Sequence, residues 1–518
     1  MARVPAILRP LGGPWASVPN RSDHAGRFVA DPSTPLGVVV SRSLAGFALA
    51  IGAAALLALL LTAIPGAVAV DPMMVALATV NTLVLASGTV GTTLLLAALL
   101  ALAAVAGPLE IRPAAVRSLE LATALPPVVV ALALVVVVGV PVEPGWAVLA
   151  IVGAQSLVFG PQVARRLARV ALQTPVSVDE AAIDLGATGW KRFGAVVWPA
   201  LGAAMPGIIG SVAALALADV VTPVLLGGPL LTLPGLIWTH ALAGNPAIAA
   251  LMAIALMAVG ALTWPIGRGA LASPLGPALK YQASRFDLPA GWSSLVLTLS
   301  VAVLFPLVMA PLVLVTAAGG DLASLASAWL AALGAALAGG SGAVLLSLGL
   351  RQLGVLGGLV GRLFEITPPA VLGLAVVVAF GGALATGVPG SFTLLAVVGL
   401  FVGLQAAHSA VPSPTSPASV AAAARDLGAD PSSVTPPLGM RRLLTTSLFV
   451  AAETLRTGAF AFVVLAGIDH PTVASLSASR ISDRPAASAA ALSILAAVCL
   501  LRAAGGRLTR SHRMEGQS

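Results

Sequence analysis

Charge is scarce in this chain. Only 9% of its 518 residues are Asp, Glu, Lys or Arg, against 58% that are hydrophobic. Cysteine is scarcer still. Cys499 stands alone, which excludes a disulfide framework and a cysteine metal cluster. No GxxxxGK[ST] loop occurs, so the chain has no phosphate cradle of its own. The histidines His24, His240, His408, His470 and His512 are scattered without metal-ligand spacing. No Ser/His/Asp or Cys/His set gathers in the polar stretches. These absences point away from an enzyme. No catalytic residue, metal or bound cofactor is expected on this chain.

What is present is apolar sequence. Mean hydropathy is +1.02. Many windows of about 20 residues carry no charge, enough to cross a hydrocarbon core of roughly 30 Å. A soluble protein this apolar would aggregate. The segments are continuous runs rather than alternating ones, which favours helices over a transmembrane barrel. The net charge of +8 and pI near 11.2 would suggest nucleic acid in a soluble protein. In an apolar chain the basic residues read as orientation signals, and no nucleic-acid partner is expected. The N-terminal region holds Arg3, Arg9, Arg21, Arg27 and Arg42 before a long apolar run without a convincing cleavage site. It reads as a cytoplasmic tail and a true first span.

The expected fold is all-α and polytopic, with about twelve spans. They fall at 43–66, 83–106, 119–140, 146–164, 200–225 and 246–266, then 292–317, 327–350, 366–387, 392–410, 445–467 and 486–503. With the N-terminus inside, Arg480 and Arg484 are the only basic residues that fall in outer loops. Asp71, Glu143, Asp321, Asp469 and Asp483 fall outside as well. That asymmetry supports twelve spans with both termini cytoplasmic.

The chain also repeats itself at an offset of 242 residues. LPPVVVALALVVVVG (125–139) matches TPPAVLGLAVVVAFG (367–381) at eight of fifteen positions. SVDEAAIDLGA (177–187) matches SVAAAARDLGA (419–429) at eight of eleven, several of them polar. Six spans per repeat keep both halves in one orientation, so the repeat is parallel, about an axis along the membrane normal. The implied organisation is a tail (1–42), a first repeat (43–287) with a loop at 165–199, a second repeat (288–503) with a loop at 411–444, and a C-terminal tail (504–518).

The stretch DEAAIDLGATGWKRF (179–193) departs from its surroundings, because Asp179, Glu180, Asp184, Lys191 and Arg192 all fall within it. Ser177 followed by Glu180 forms a capping box. Asp179 and Glu180 suit the positive end of the helix dipole. Gly186 can terminate the helix in a left-handed conformation. The outcome is a two-turn helix, too short to be stable alone. Ala181 and Ala182 give it a small face for close approach, with Trp190 and Phe193 as anchors. A loop helix resting on the headgroups would account for this geometry too, but would not need matching positions in both halves.

Glu180-Ala181-Ala182, Gly186, then Phe193, Val196, Trp198 and Pro199 resemble the EAA loop of ABC importer permeases. The chain looks like two fused six-span permease units, similar to permeases of ferric-iron, thiamine and phosphonate importers. ADVVTPVLLGG (218–228) and PPAVLGLAVVVAF (368–380) are further family-like pieces. The resemblance implies an ATP-driven, binding-protein-dependent importer in a bacterial plasma membrane. It implies cytoplasmic ATPase subunits, as a dimer, that carry ATP and Mg, and an extracytoplasmic solute-binding protein, with membrane lipid around the spans. It implies that the loop couples to the ATPase through Ser177, Asp179, Glu180, Ala181, Ala182, Asp184 and Gly186. In the second loop the corresponding positions include Ser419, Ala423, Ala424, Asp426 and Gly428. There Ala422 replaces the glutamate, Arg425 stands opposite Ile183, and Arg441 opposite Pro199. The second docking helix is therefore expected to be weaker.

Four residues within spans stand out. Asp219 and Pro223 either border the path or gate, or the Asp caps a broken turn. Glu453 and Arg456 lie three apart and can pair on one helix face, as a joint between the repeats or as part of a path. Gly340-Ser341-Gly342 reads as a packing notch or hinge. An ion-coupled secondary transporter also fits twelve spans in two halves, but it leaves the repeated loop helix unexplained. Nothing in the loops favours a membrane-embedded enzyme or scaffold.

Overall fold

The computed structural model describes residues 53–106, 112–141, 143–172, 176–267, 290–318, 336–347, 367–384, 440–464 and 484–515, with a few single positions between 333 and 404. Every regular element among them is helical. Helix α1 covers Ala53–Ala69. Then come α2 (Pro72–Ala106), α3 (Arg112–Ala122), α4 (Pro127–Val138), α5 (Pro144–Leu172), α6 (Val176–Asp184) and α7 (Gly189–Arg192). A π-helical segment (Phe193–Val197) leads into α8 (Trp198–Ala218), followed by α9 (Val221–Leu226), α10 (Leu233–Leu242), α11 (Pro246–Gly267) and α12 (Ala290–Ala317). Helix α13 covers Ala336–Ser347. The last three are α14 (Pro369–Leu384), α15 (Met440–Val464) and α16 (Arg484–Glu515).

Five helices are long and apolar enough to cross a membrane, or six if the bent pair α3–α4 counts as one span. The chain is a helical, membrane-spanning protein. Two stripes of large apolar side chains face outward. Leu57, Leu60, Leu61, Ile64 and Val68 line α1; Leu295, Leu299, Phe305, Val308, Leu312 and Val315 line α12. Most of them recur at three or four residues, which marks a broad outward face on each helix, suited to lipid contact.

The centre is built on α2 and α5, which pack along much of their length. The buried stripe of α2 runs Ala78, Thr82, Ala86, Thr89, Thr93, Ala97, Ala101 and Ala104. Small residues matter because lipid tails are as apolar as leucine. Helices in a bilayer associate through close packing rather than through escape from water.

Several boundaries differ from the sequence expectation, each for a local reason. Helix α2 starts at Pro72 instead of 83, because the Asp71 carboxylate accepts the Met73 N–H at 2.9 Å and Pro72 suits the first turn. The third span is not straight. Pro126 and Pro127 end α3 and start α4, and the two axes differ by 87°. The fifth span breaks after Ala218, and α9 follows as a separate helix. Helix α5 continues to Leu172, so the first loop is shorter than 165–199. Helix α16 runs unbroken past 503 to Glu515, so much of the C-terminal tail is a helical extension.

Helix α10 was not anticipated within 226–245. Thr232 caps it, accepting the Gly235 N–H at 3.1 Å, and Pro234 lies in its first turn. Leu233, Leu236, Ile237 and Trp238 are buried. The Leu233 N–H donates to Thr82 Oγ1 at 3.0 Å and Asn81 donates to the Leu231 carbonyl at 2.8 Å.

Elements recur at the sequence offset. Helices α4 and α14 start 242 residues apart, as do α8 and α15. Helix α8 packs on α11, and α15 packs on α16. Across the halves, α4 meets α16 while α14 meets α11.

Gly340 acts as a packing notch. A Cβ there would lie 2.8 Å from the backbone nitrogen of Ala451 on α15. Gly340→Val is expected to destabilise the chain by about 1–3 kcal/mol. Thermal unfolding in detergent checks this, with Ser341→Val, at an exposed position, as the near-neutral control.

Candidate functional site

The charged stretch forms a nine-residue helix, α6 (Val176–Asp184). Its carboxylates divide. Asp179 turns inward, 4% exposed, and both its oxygens accept from Arg192, at 2.7 Å from Nε and 2.5 Å from Nη2. Two parallel N–H···O bonds fix geometry as well as charge. Glu180, Ala181, Ile183 and Asp184 are exposed on α6, whereas Ala182 is buried against the bundle.

The end of α6 closes as the sequence pattern implies. Gly186 has φ +79°. Its N–H donates to the Ile183 carbonyl at 2.8 Å, and the Ala187 N–H donates to the Ala182 carbonyl at 2.9 Å. That pair of bonds defines a Schellman turn, which a residue with a Cβ adopts only with strain. The start differs from expectation. Helical structure begins at Val176, so Ser177 sits inside the first turn and not at the cap.

From Gly189 the chain is helical without a break to Ala218. Pro199 lacks the N–H that would bond the carbonyl four residues back. The helix widens there to a π segment, in which the Trp198 N–H reaches the Phe193 carbonyl. Arg192 thus stands at the root of the helix that becomes α8, and its clamp on Asp179 ties α6 to that helix. The second-loop residues Ser419, Ala423, Ala424, Asp426 and Gly428 lie outside the described residues.

A second cluster lies inside the bundle. Thr89 is the middle residue of α2, and its hydroxyl donates to Gln155 Oε1 at 2.7 Å. Gln155 Nε2 donates to Asp219 Oδ2 at 3.2 Å and to the Ala216 carbonyl at 3.3 Å. Asp219 Oδ1 accepts the Thr222 N–H at 3.2 Å. Thr89, Gln155, Asp219 and Thr222 are all buried. Asp219 therefore caps the broken turn that leads into α9, and Pro223 is buried in that helix. The sequence of the second half lacks the side chains to repeat this network. At the offset of 242, Thr89, Gln155, Asp219 and Thr222 correspond to Ala331, Val397, Ala461 and Val464. Helix α15 continues unbroken past Ala461 to Val464.

Asp219→Ala would leave the Thr222 N–H without its side-chain acceptor and Gln155 Nε2 with the Ala216 carbonyl alone, and is expected to cost about 1–3 kcal/mol. Asp219→Asn keeps an acceptor for Thr222 but sets one amide donor against another, so an intermediate loss is expected. Unfolding temperatures of the two variants check the order.

The third cluster joins the halves. Arg456 donates to Glu453 Oε1 through Nε at 2.9 Å and also through Nη2. Arg502 of α16 donates to Glu453 Oε2 at 3.2 Å and to Thr123 Oγ1 at 3.0 Å. Arg456 also reaches Gln162 of α5 at 3.3 Å. Thr123 occupies the corner between α3 and α4, and Arg165 donates to the same hydroxyl at 3.5 Å. Glu453 and Arg456 are thus centred in a joint that draws α15 and α16 onto α5 and the α3–α4 corner. The sequence signalled the pair but not Thr123, Gln162 or Arg502, which lie hundreds of positions away or look like ordinary span residues.

Comparison of the chain with family models, with curated proteins and with solved structures gives no match. Among the described residues no cluster of His, Cys, Asp or Glu has the makeup of a metal site.

Proposed function

We propose that this chain is the membrane subunit of an ATP-driven, binding-protein-dependent importer, with α6 as its docking helix for a cytoplasmic ATPase. The observation that carries the reading is the division of α6. Asp179 is clamped to Arg192 at the root of α8, while Glu180, Ile183 and Asp184 on the same short helix stay exposed. A push on such a helix passes directly into a span. A helix resting on headgroups would gain nothing from that clamp.

In this reading the chain has twelve spans in two parallel six-helix repeats, set in a bacterial plasma membrane with both termini cytoplasmic. The common offset of helix starts and the reciprocal packing of α4 on α16 and α14 on α11 support a pseudo-two-fold arrangement. ATP and Mg bind the partner subunits, a binding protein delivers a small solute at the outer face, and the chain itself is not an enzyme. Ferric iron, thiamine or a phosphonate-like solute each suits the resemblance. In this reading the buried Asp219, with its partners Gln155 and Thr222, is a candidate to border the translocation path.

The lone cysteine allows a clean test. In a Cys499→Ser background, a cysteine at exposed Ile183 is expected to cross-link to the ATPase subunit, and one at buried Ala182 is not. Equal cross-linking at both positions, or none at Ile183, would remove the docking role. The buried Asp219 favours a second reading, an ion-coupled transporter. Uptake into vesicles under an imposed proton or sodium gradient, without any ATPase, would decide for it.

A further inference from the structure

A cavity of about 490 Å³ opens beneath the docking helix. Its walls come from four elements: the inner part of α2 (Ala98, Ala101), the end of α5 (Ala168), the turn after α6, and the start of α8 (Leu201, Met205). The apolar lining is alanine, leucine, valine and methionine with Ile183, Phe193 and Trp198, and the volume lies within the range of about 300–1,000 Å³ usual for ligand sites. Polarity is confined to one rim, at Thr188, Gly189 and Arg192. Lys191 lies on the same helical turn and is exposed.

The surroundings identify the occupant. Trp198, at the start of α8, lines the cavity yet is 59% exposed. The apolar lining is therefore continuous with the outer surface of the spans, where bilayer lipid lies. Arg192 is engaged by Asp179, so the exposed cation at this rim is Lys191, and an apolar slot beside it complements an amphiphile with an anionic head. We infer that this cavity is a specific site for one acyl chain of an anionic phospholipid, with the phosphate held at Lys191. Juxtamembrane basic residues attract anionic headgroups. A chain seated here fills the space between α6 and the spans, so the lipid sets how firmly the docking helix is backed. The lipid site rests on membrane embedding alone and stands or falls independently of the ATPase reading.

The test uses the full chain in phosphatidylcholine nanodiscs doped with phosphatidylglycerol that carries a diazirine on its acyl chain. After illumination, labelling of residues 98–105 and 198–205 is measured relative to the exposed face of α12, which reports ordinary surrounding lipid. Ala98 is exposed and lines the cavity, so Ala98→Phe fills the slot without disturbing the core. It is expected to reduce labelling at the cavity by roughly tenfold and leave α12 labelling unchanged, since a filled pocket no longer buries the ligand. Lys191→Glu is expected to reduce the preference for diazirine phosphatidylglycerol over diazirine phosphatidylcholine by roughly fivefold or more. If both lipids label the cavity equally in the unaltered chain, or if Ala98→Phe leaves cavity labelling unchanged, the site as stated is overturned.

Discussion

Glu453→Ala is expected to destabilise the protein by about 3–5 kcal/mol, the usual cost of removing one partner from a buried ion pair. The carboxylate faces two guanidinium groups, and both Arg456 and Glu453 are almost wholly shielded, with side chains 1% and 6% exposed. Removing it leaves the charges of Arg456 and Arg502 beside Arg165, which shares the Thr123 hydroxyl with Arg502. Repulsion then adds to the loss of hydrogen bonds. Arg456→Met alone is expected to be less harmful, because Arg502 still balances Glu453. The triple change Glu453→Leu, Arg456→Met and Arg502→Met is expected to recover much of the loss, since apolar replacement of a whole buried ionic group is often neutral. Denaturation of the variants in detergent checks the series. A loss under about 1 kcal/mol for Glu453→Ala would mean that the carboxylate does not hold the halves together.

Glu180→Lys is expected to lower ATP-dependent uptake by about 100-fold while leaving the fold intact, because in the proposed docking it reverses the charge at an exposed contact position, and a charge reversed at a complementary interface costs several kcal/mol. Glu180 is exposed and makes no hydrogen bond or ion pair among the described residues, so its replacement costs the fold only its interaction with the helix dipole, about 0.3–1 kcal/mol. Asp179→Ala has the opposite character. It breaks the clamp on Arg192 and is expected to reduce both stability and coupling. The second loop provides the comparison. Ala422 already lacks the acid, so Ala422→Lys is expected to reduce uptake by less than Glu180→Lys. Uptake in vesicles with the cognate ATPase, together with co-purification of that ATPase, separates these outcomes. Equal damage from the two lysines would show that the halves couple alike.

Much of this was legible in the chain. Apolar runs without charge define membrane helices, because an unpaired backbone in lipid is too costly for other structures. Gly186 announced its left-handed turn, since the Asp-Leu-Gly-Ala end of α6 permits little else. The prolines mark corners that the expected spans at 83–106 and 119–140 passed over: Pro126 and Pro127 separate α3 from α4, and Pro72 opens α2 behind Asp71. Helix α10 was missed although Thr232 and Pro234 signal its start. Its apolar residues are too few to register as a span, and they are buried chiefly by contact with α11, with α9 and α2 beside it, rather than by lipid.

The sequence by itself determined the helical membrane class, the offset repeat and the short charged helix. Those properties depend on hydropathy, turn chemistry and local hydrogen bonds, all settled within a few residues. Only the tertiary structure decided which charges face inward. Asp179 and Glu180 are neighbours with the same functional group, yet one is clamped by Arg192 and the other is exposed. Likewise Glu453 meets Arg502 and the Thr123 corner only once α15 and α16 close against the first half. The physical reason is range. Capping and helix formation act over one turn of chain, whereas desolvation and ion pairing depend on what folding brings from far away.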